Sequence, residues 1–337
     1  MYFCIRMSFA RTGMKLRLLQ FLKNWTLPVA IVTGSALYLL FLLVPALDEC
    51  GDRLWPIIDF IFPLSVFGTL FVTFCKVDFH QMRPHRWHLY ILLAQVLLVA
   101  GVMAVIFSVH DGGQKVLWEA MLTCVIAPAA TAAPVVTGKL GGNISTMSAF
   151  TVVSSFASAL TIPLAFPLLE QTIPVTFWAA FLIILRKLAT VLVLPMALGW
   201  LVQHTMPALR RRIASMPNLS FYCWAFSLAI TSGITVKNIV HSDASTALLL
   251  GIAVLSLVAC LVQFAIGRTV GRHTGERINC GQAMFQKNTA LAIWVAYMYL
   301  SPVASVGAGC YVLWQNIINS IQFYMLRPKN SAAEKKP

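Results

Sequence analysis

Residues 126–143 read Ile-Ala-Pro128-Ala-Ala-Thr131-Ala-Ala-Pro134-Val-Val-Thr137-Gly-Lys139-Leu-Gly-Gly-Asn143. Two prolines six residues apart interrupt a stretch that is otherwise apolar enough to be a buried helix. Each removes a backbone donor and crowds the preceding turn, so the helix is expected to open around Ala129–Ala133. A merely kinked helix is the plainer alternative. A second stretch, Cys280-Gly-Gln-Ala-Met-Phe-Gln286-Lys287-Asn288-Thr-Ala-Leu-Ala292, sets an amide, an ammonium and another amide side by side among apolar neighbours. If both lie at membrane depth, the freed carbonyls and amides must find protein, water or a ligand, because lipid satisfies none of them. An ionisable residue there is a functional candidate by default.

Working outward, composition supplies the membrane. Of 337 residues, 59% are apolar and 11% charged, with a mean hydropathy of +0.79, whereas a soluble domain carries about a quarter of its residues as charges. Ten apolar segments follow one another, at roughly 26–46, 54–75, 87–109, 116–138, 144–168, 174–203, 219–236, 245–267, 280–300 and 302–325. Each is long enough to cross about 30 Å of hydrocarbon as a helix. With the amino terminus inside, 19 basic residues fall in cytoplasmic segments against Arg53, Lys115 and Lys237 outside, so the net charge of +14 reads as positive-inside topology with both termini cytoplasmic. Nucleic-acid binding and soluble catalysis are poor readings of that charge. The chain shows no Ser-His-Asp grouping, H-E-x-x-H or phosphate loop, so no enzyme is expected. The first apolar run is a full span with no cleavage site after it, although Met7 or Met14 could be the true start. The eight cysteines are scattered without a C-x-x-C pair and the seven histidines lack metal-ligand spacing, so packing roles and no metal site are expected.

Ten spans divide into two sets of five, and an odd set starts the second half from the opposite face. This is the condition for an inverted repeat, the plan of many secondary transporters. Gln95 in the third segment and Gln263 in the eighth occupy equivalent places. The interrupted fourth and ninth segments are equivalent too, and point to the transport site. The sixth segment carries Arg186-Lys187 about twelve residues from its outer end. These bind an anionic substrate or pair with Glu119 or Asp59; for Arg186 the pairing is the favoured reading. The organisation expected is a basic cytoplasmic segment 1–25, a first five-helix repeat 26–168, an inverted second repeat 174–325, and a cytoplasmic tail 326–337.

Three motifs resemble those of bile acid:sodium symporters. Pro128-Ala-Ala-Thr131-Ala-Ala-Pro134-Val-Val-Thr137 with Gly142-Asn143 is similar to P-G-G-T-A-S-N-V-V-T…G-N, Gln286-Lys-Asn288-Thr-Ala-Leu-Ala292 to E-x-G-x-Q-N-S-G-L-A, and Trp314-Gln-Asn316-Ile-Ile-Asn319-Ser to W-H-N-I-S-G-S. Weaker matches are PLSVFGTLFVTFCKVDF in the second segment and LPMALGWLV in the sixth. The resemblance implies an all-α polytopic membrane protein of ten transmembrane helices, with a panel domain (helices 1, 2, 6 and 7) and a core domain (helices 3–5 and 8–10) in which broken helices 4 and 9 cross. It implies inward transport of an organic anion coupled to two sodium ions held at that crossing, the known cargoes being bile acids, steroid sulfates and small carboxylates. A bacterial inner membrane is the expected location.

The departures shape the functional expectation. The family's Ser-Asn pair falls on Ala133 and Pro134, its helix-9 Glu on Ala283 and its Gln on Lys287, while Gln95 and the helix-5 Thr151 are kept. Hard cations want oxygen ligands, so the ordinary sodium site is read as lost, with sodium left open as a coupling ion and no cofactor expected. The ammonium of Lys287 would stand in for one sodium ion, hydrogen-bonded to Gln95, Thr151, Gln286 and the carbonyls near Pro128–Pro134. A Lys287 that only braces the crossing is the equal alternative. The pathway candidates are Lys287, Gln286, Asn288, Gln95, Thr131, Pro134, Thr137, Thr151, Asn316 and Arg186. The expected partners are a small organic anion and the bilayer. Sodium-independent anion transport, with proton coupling open, competes with a cation–proton antiporter of related architecture and with a non-transporting regulator.

Overall fold

Side-chain caps and prolines mark where the helices begin. Asp111, Thr176, Ser245, Asn288 and Ser301 each accept a backbone N–H from the first turn that follows, satisfying one of the donors every helix start leaves bare. The computed structural model of the chain describes residues 25–169 and 176–326. The amino-terminal segment and nearly all of the tail fall outside these residues. The helices are α1 Thr26–Leu43, α2 Asp48–Phe74, α3 Arg86–Ser108, α4 Gly112–Ile126, α5 Ala133–Lys139, α6 Ile144–Leu169, α7 Phe177–Leu188, α8 Leu194–Thr205, α9 Pro207–Ala214, α10 Leu219–Val240, α11 Thr246–Thr274, α12 Arg277–Phe285, α13 Thr289–Tyr299 and α14 Pro302–Met325. Among the described residues, seven continuous helical runs are long and apolar enough to cross a membrane: α1, α2, α3, α6, the run through α7 and α8, α10 and α11. This is an all-α polytopic membrane protein. α14 spans 24 residues but is more polar, because its buried face carries Gln315, Asn316, Asn319, Ser320 and Gln322.

The sixth segment is not one regular helix as its composition suggests. Five residues, Ala189–Val193, form a π turn between α7 and α8. Pro195 in the first turn of α8 explains it, since its ring cannot approach the carbonyl four residues back, and one extra residue per turn relieves the clash.

Two packing groups share the molecule. α10 lies against α1 and α2, and α2 against α8; α4 lies against α3, α11 and α14, with α12 on α11 and α5 on α6. The first group closes tightly where α1 meets α10. A Cβ on Gly34 would overlap the Ala229 carbonyl, and one on Gly233 would sit 3.0 Å from the Gly34 oxygen, so small residues let the two backbones touch.

Candidate functional site: the crossing of two interrupted helices

The fourth segment opens where its prolines say it should, but the two prolines do different work. α4 ends at Ile126, and Ala127, preceding Pro128, is forced into extended backbone (φ −63°, ψ 147°), as a residue before proline prefers. Pro134 breaks nothing. It lies in the first turn of α5, where its missing N–H has no partner to lose. The ninth segment opens without proline: α12 stops at Phe285, and Asn288 starts α13 by accepting from Leu291 N at 3.2 Å.

The two openings repair one another. Ala129 and Lys287 form an antiparallel bridge, in which Ala130 N donates to Gln286 O at 2.7 Å and Asn288 N donates to Pro128 O at 2.9 Å. Most of the remaining bare groups are met by side chains. Gln95 Nε2 donates to Ala127 O at 3.0 Å, Ser158 Oγ to Ile126 O at 3.1 Å, and Ala129 N donates to Ser154 Oγ at 3.2 Å. On the other strand Tyr311 donates to Phe285 O at 2.7 Å, and Lys287 N donates to Gln315 Oε1 at 3.0 Å. Backbone freed inside a membrane is thus accounted for by protein, as it must be. The matched glutamines are not used symmetrically. Gln263 turns to Cys124 O and the Tyr311 hydroxyl on the α4 side, and Tyr311 serves the α12 end in its place.

Of the residues singled out by sequence, Gln286, Lys287, Asn288 and Thr131 line one cavity of about 660 Å³. It lies between the crossing and a wall from α2, α7, the π turn and α10 that includes Phe60, Phe67, Lys187 and Trp224. Gln286 is buried, and its Oε1 accepts from Asn319 Nδ2 at 2.6 Å. Asn319 Oδ1 accepts in turn from Gln282 (3.2 Å) and Gln322 (3.3 Å), and Gln322 Oε1 accepts from Arg268 at 2.7 Å. A polar ladder therefore runs from the loop-side end of α11 to the crossing. Lys287 is only 1% exposed, and its Nζ is enclosed with no hydrogen-bond partner among the described residues.

Several expected arrangements differ. The Lys287 ammonium is not hydrogen-bonded to Gln95, Thr151 or Gln286: Gln95 is held by the α4 carbonyls, Thr151 donates to Met147 O at 3.0 Å, and Gln286 Oε1 is taken by Asn319. Pro134, Thr137 and Asn316 are buried away from the cavity. Asn316 donates within its own helix to Val312 O, while Thr137 Oγ1 has no partner among the described residues. Arg186 is exposed and does not pair with Glu119, whose carboxylate lies 3.7 Å from Lys115; the helix turn that brings Lys187 to the cavity turns Arg186 away from it. The Asp59 side chain lies outside the described residues. Sequence reasoning missed Ser154, Ser158 and Tyr311, and it quoted Gln315 and Asn319 in the tenth-segment motif without counting them among the pathway candidates. The repeating pattern Ser148, Thr151, Ser154/Ser155, Ser158 along α6 was the available signal, one face of a helix at a spacing of three to four.

Two of the positions that the resemblance assigns to sodium ligands, Ala133 and Ala283, are apolar and packed. Ala133 and Ala283 are fully buried in one cluster with Ala129, Ala130, Met147, Phe150 and Met284. Among the described residues no three His, Cys, Asp or Glu side chains gather as a metal site.

No protein in the curated comparison matches the chain. The sodium bile acid symporter family model matches residues 63–242, a range that contains the fourth-segment break, the π turn and most of the cavity wall, and on that match the chain belongs to the sodium bile acid symporter family, whose members are membrane transporters.

Proposed function

We propose that the protein is a secondary transporter of an organic anion that works without sodium, Lys287 taking the place of a bound cation at the crossing. The observation that carries the reading is an ammonium enclosed at the junction of two broken helices, while Ala133 and Ala283 stand packed where the family places oxygen ligands. A sodium ion entering that cluster would exchange hydration for methyl groups, which a hard cation does not do.

The remaining expectations follow the same plan. The two broken pairs, α14 and the seven continuous runs make ten spans in two inverted sets of five, 26–168 and 174–325. α1, α2, α7–α8 and α10 form the panel and the others the core, and the cavity lies between them. Alternating access is then movement of the core against the panel around a fixed crossing. Positive-inside loops put both termini in the cytoplasm of a bacterial inner membrane. An antiporter is disfavoured because no Asp or Glu lies among the described residues lining the cavity.

The test is uptake of a radiolabelled bile acid and a small carboxylate, in parallel, into proteoliposomes under a sodium gradient, a proton gradient or none. Wild-type uptake should be indifferent to sodium, and Lys287→Gln should lose uptake. Sodium-driven uptake by the wild type overturns the reading. Uptake of neither anion, with a folded protein, favours a regulator that keeps the fold.

A further inference from the structure

Lys187 is the second cation of the cavity, and neither sodium chemistry nor the helix crossing requires it. It sits in the last turn of α7, immediately before the π turn, and π turns recur at functional sites because they redirect side chains. Its Nζ lies 3.7 Å from the centroid of the Trp294 ring on α13. It forms no ion pair among the described residues. A ring face is a partial substitute for a counter-ion, and leaves the ammonium formally unbalanced at membrane depth. Lys287 is unbalanced in the same way, and no described residue lining the cavity is acidic. Two lysines, Lys187 and Lys287, therefore line one cavity whose wall offers aromatic surface from Phe60, Phe62, Phe67 and Trp224, with hydroxyls from Thr190, Ser227 and Thr231.

We propose that the cargo is an organic dianion: a compact apolar body with two acidic groups, one held at Lys187 and the other on the Lys287 side of the cavity. A single-charged cargo leaves one ammonium without a partner. A double-charged cargo balances both, while its apolar body replaces water against the aromatic wall. Lys187 then acts as the residue that selects charge. Binding draws its ammonium off the Trp294 ring, so occupancy is reported by tryptophan fluorescence. The proposal rests on the transporter reading above and specifies its cargo.

The experiment uses the full chain in lipid nanodiscs in chloride-free buffer, titrated with cyclohexanecarboxylate and with trans-cyclohexane-1,4-dicarboxylate. Binding is followed by tryptophan fluorescence and independently by thermal shift. The dicarboxylate should bind at least about tenfold more tightly, the size of one charge-assisted contact. Lys187→Gln should bring the two affinities together, and Lys187→Arg should keep them apart, which also shows that the site tolerates substitution. Trp294→Phe should reduce the fluorescence change, Trp224 of the cavity wall supplying the remainder, and leave the thermal shift. Equal affinities in the wild type, or a dicarboxylate preference that survives Lys187→Gln, overturn the proposal. If the monocarboxylate binds and is taken up with no preference for the dianion, the dianion is refuted and anion transport stands. If neither probe binds and no anion is transported, both fail.

Discussion

Replacing Gly267 by alanine tests whether the position of the crossing is set by how closely α12 approaches α11. The sequence Gly267-Arg-Thr-Val-Gly271 is a small-xxx-small pair on α11, the arrangement that lets two backbones meet in a membrane. A Cβ on Gly267 would overlap the Cys280 carbonyl oxygen and lie 2.9 Å from both Gly281 Cα and Met284 Cβ. Ordinary carbon–carbon contact begins near 3.5 Å, so α12 must retreat by about 0.6 Å at least. Overpacking of this kind costs about 1–3 kcal/mol, and the better helix propensity of alanine returns about 0.5–1 kcal/mol. The net expectation is a loss of about 1–2 kcal/mol. Gly101→Ala on α3 is the control, since a Cβ there meets nothing within 4 Å and should be neutral or slightly stabilising. The assay is thermal unfolding in detergent, followed by a thiol-reactive fluorophore as buried Cys75, Cys124, Cys260, Cys280 and Cys310 become accessible. Because α12 carries Gln286 to the crossing, anion binding should weaken in the same variant. A Gly267→Ala protein that melts at or above the wild type, or level with Gly101→Ala, refutes the argument that this close approach positions the site.

Three further outcomes are expected. Asn319→Leu strands Gln286 Oε1 and the Gln282 and Gln322 amides, at about 1–3 kcal/mol for each buried group left bare; its unfolding midpoint should fall further than that of any single surface substitution, and a midpoint equal to wild type would show the ladder to be dispensable. Gln95→Leu and Ser158→Ala remove donors that share the Ile126 carbonyl, so the double variant should lose more stability than the sum of the singles, with additive losses counting against shared service. Lys139 donates to Asn218 Oδ1 at 2.9 Å and lies 4.0 Å over the Phe221 ring, tying α5 to the start of α10; Lys139→Gln should cost about 1 kcal/mol or less because the tie is exposed, and a larger drop in melting would mean that it holds the two packing groups together.

The positions of the helices were legible because membrane solvent writes them into composition, and the break in the fourth segment because proline leaves no choice. What escaped the sequence was the identity of the partners. Pro128 announces that carbonyls will be freed, but which side chains meet them depends on how α3, α6 and α14 are packed: Gln95 stood out in the sequence, but as a partner of Lys287, and Ser158 lies at an unremarkable place in its helix. Pro134 shows the same limit from the other side: its identity is visible, yet whether it breaks or begins a helix depends on the backbone just before it. Arg186 and Lys187 are neighbours in sequence with opposite fates, exposed and cavity-lining, because one residue is a 100° turn of a helix. The ninth-segment break had no proline to betray it, only Asn288, which is a good helix starter and an unhelpful interior residue.

Charge, rather than geometry, connects these residues to the proposed chemistry. In the arrangement that the resemblance implies, two sodium ions and one helix-9 glutamate would leave the crossing with a net charge of +1, which a single-charged cargo balances. On the proposed reading, Ala283 stands in place of the glutamate, Ala133 and Pro134 in place of oxygen ligands, and Lys287 restores a charge of +1 without any bound ion. The substitutions are mutually necessary on this reading. Lys287 beside a retained pair of sodium ions would add repulsion, and Ala283 without Lys287 would leave a cargo anion with no counter-charge at the crossing. A tethered cation cannot be left behind on the far side, so the driving gradient that sodium supplies is given up as well. Lys287→Gln alone should therefore not recover sodium coupling, since Ala133 and Ala283 still offer no oxygen; a variant that also carries Ala283→Glu and Ala133→Ser is the smallest change expected to do so, measured as sodium-stimulated uptake. Recovery by Lys287→Gln by itself would place the sodium ligands elsewhere in the crossing and remove the reason for a tethered cation.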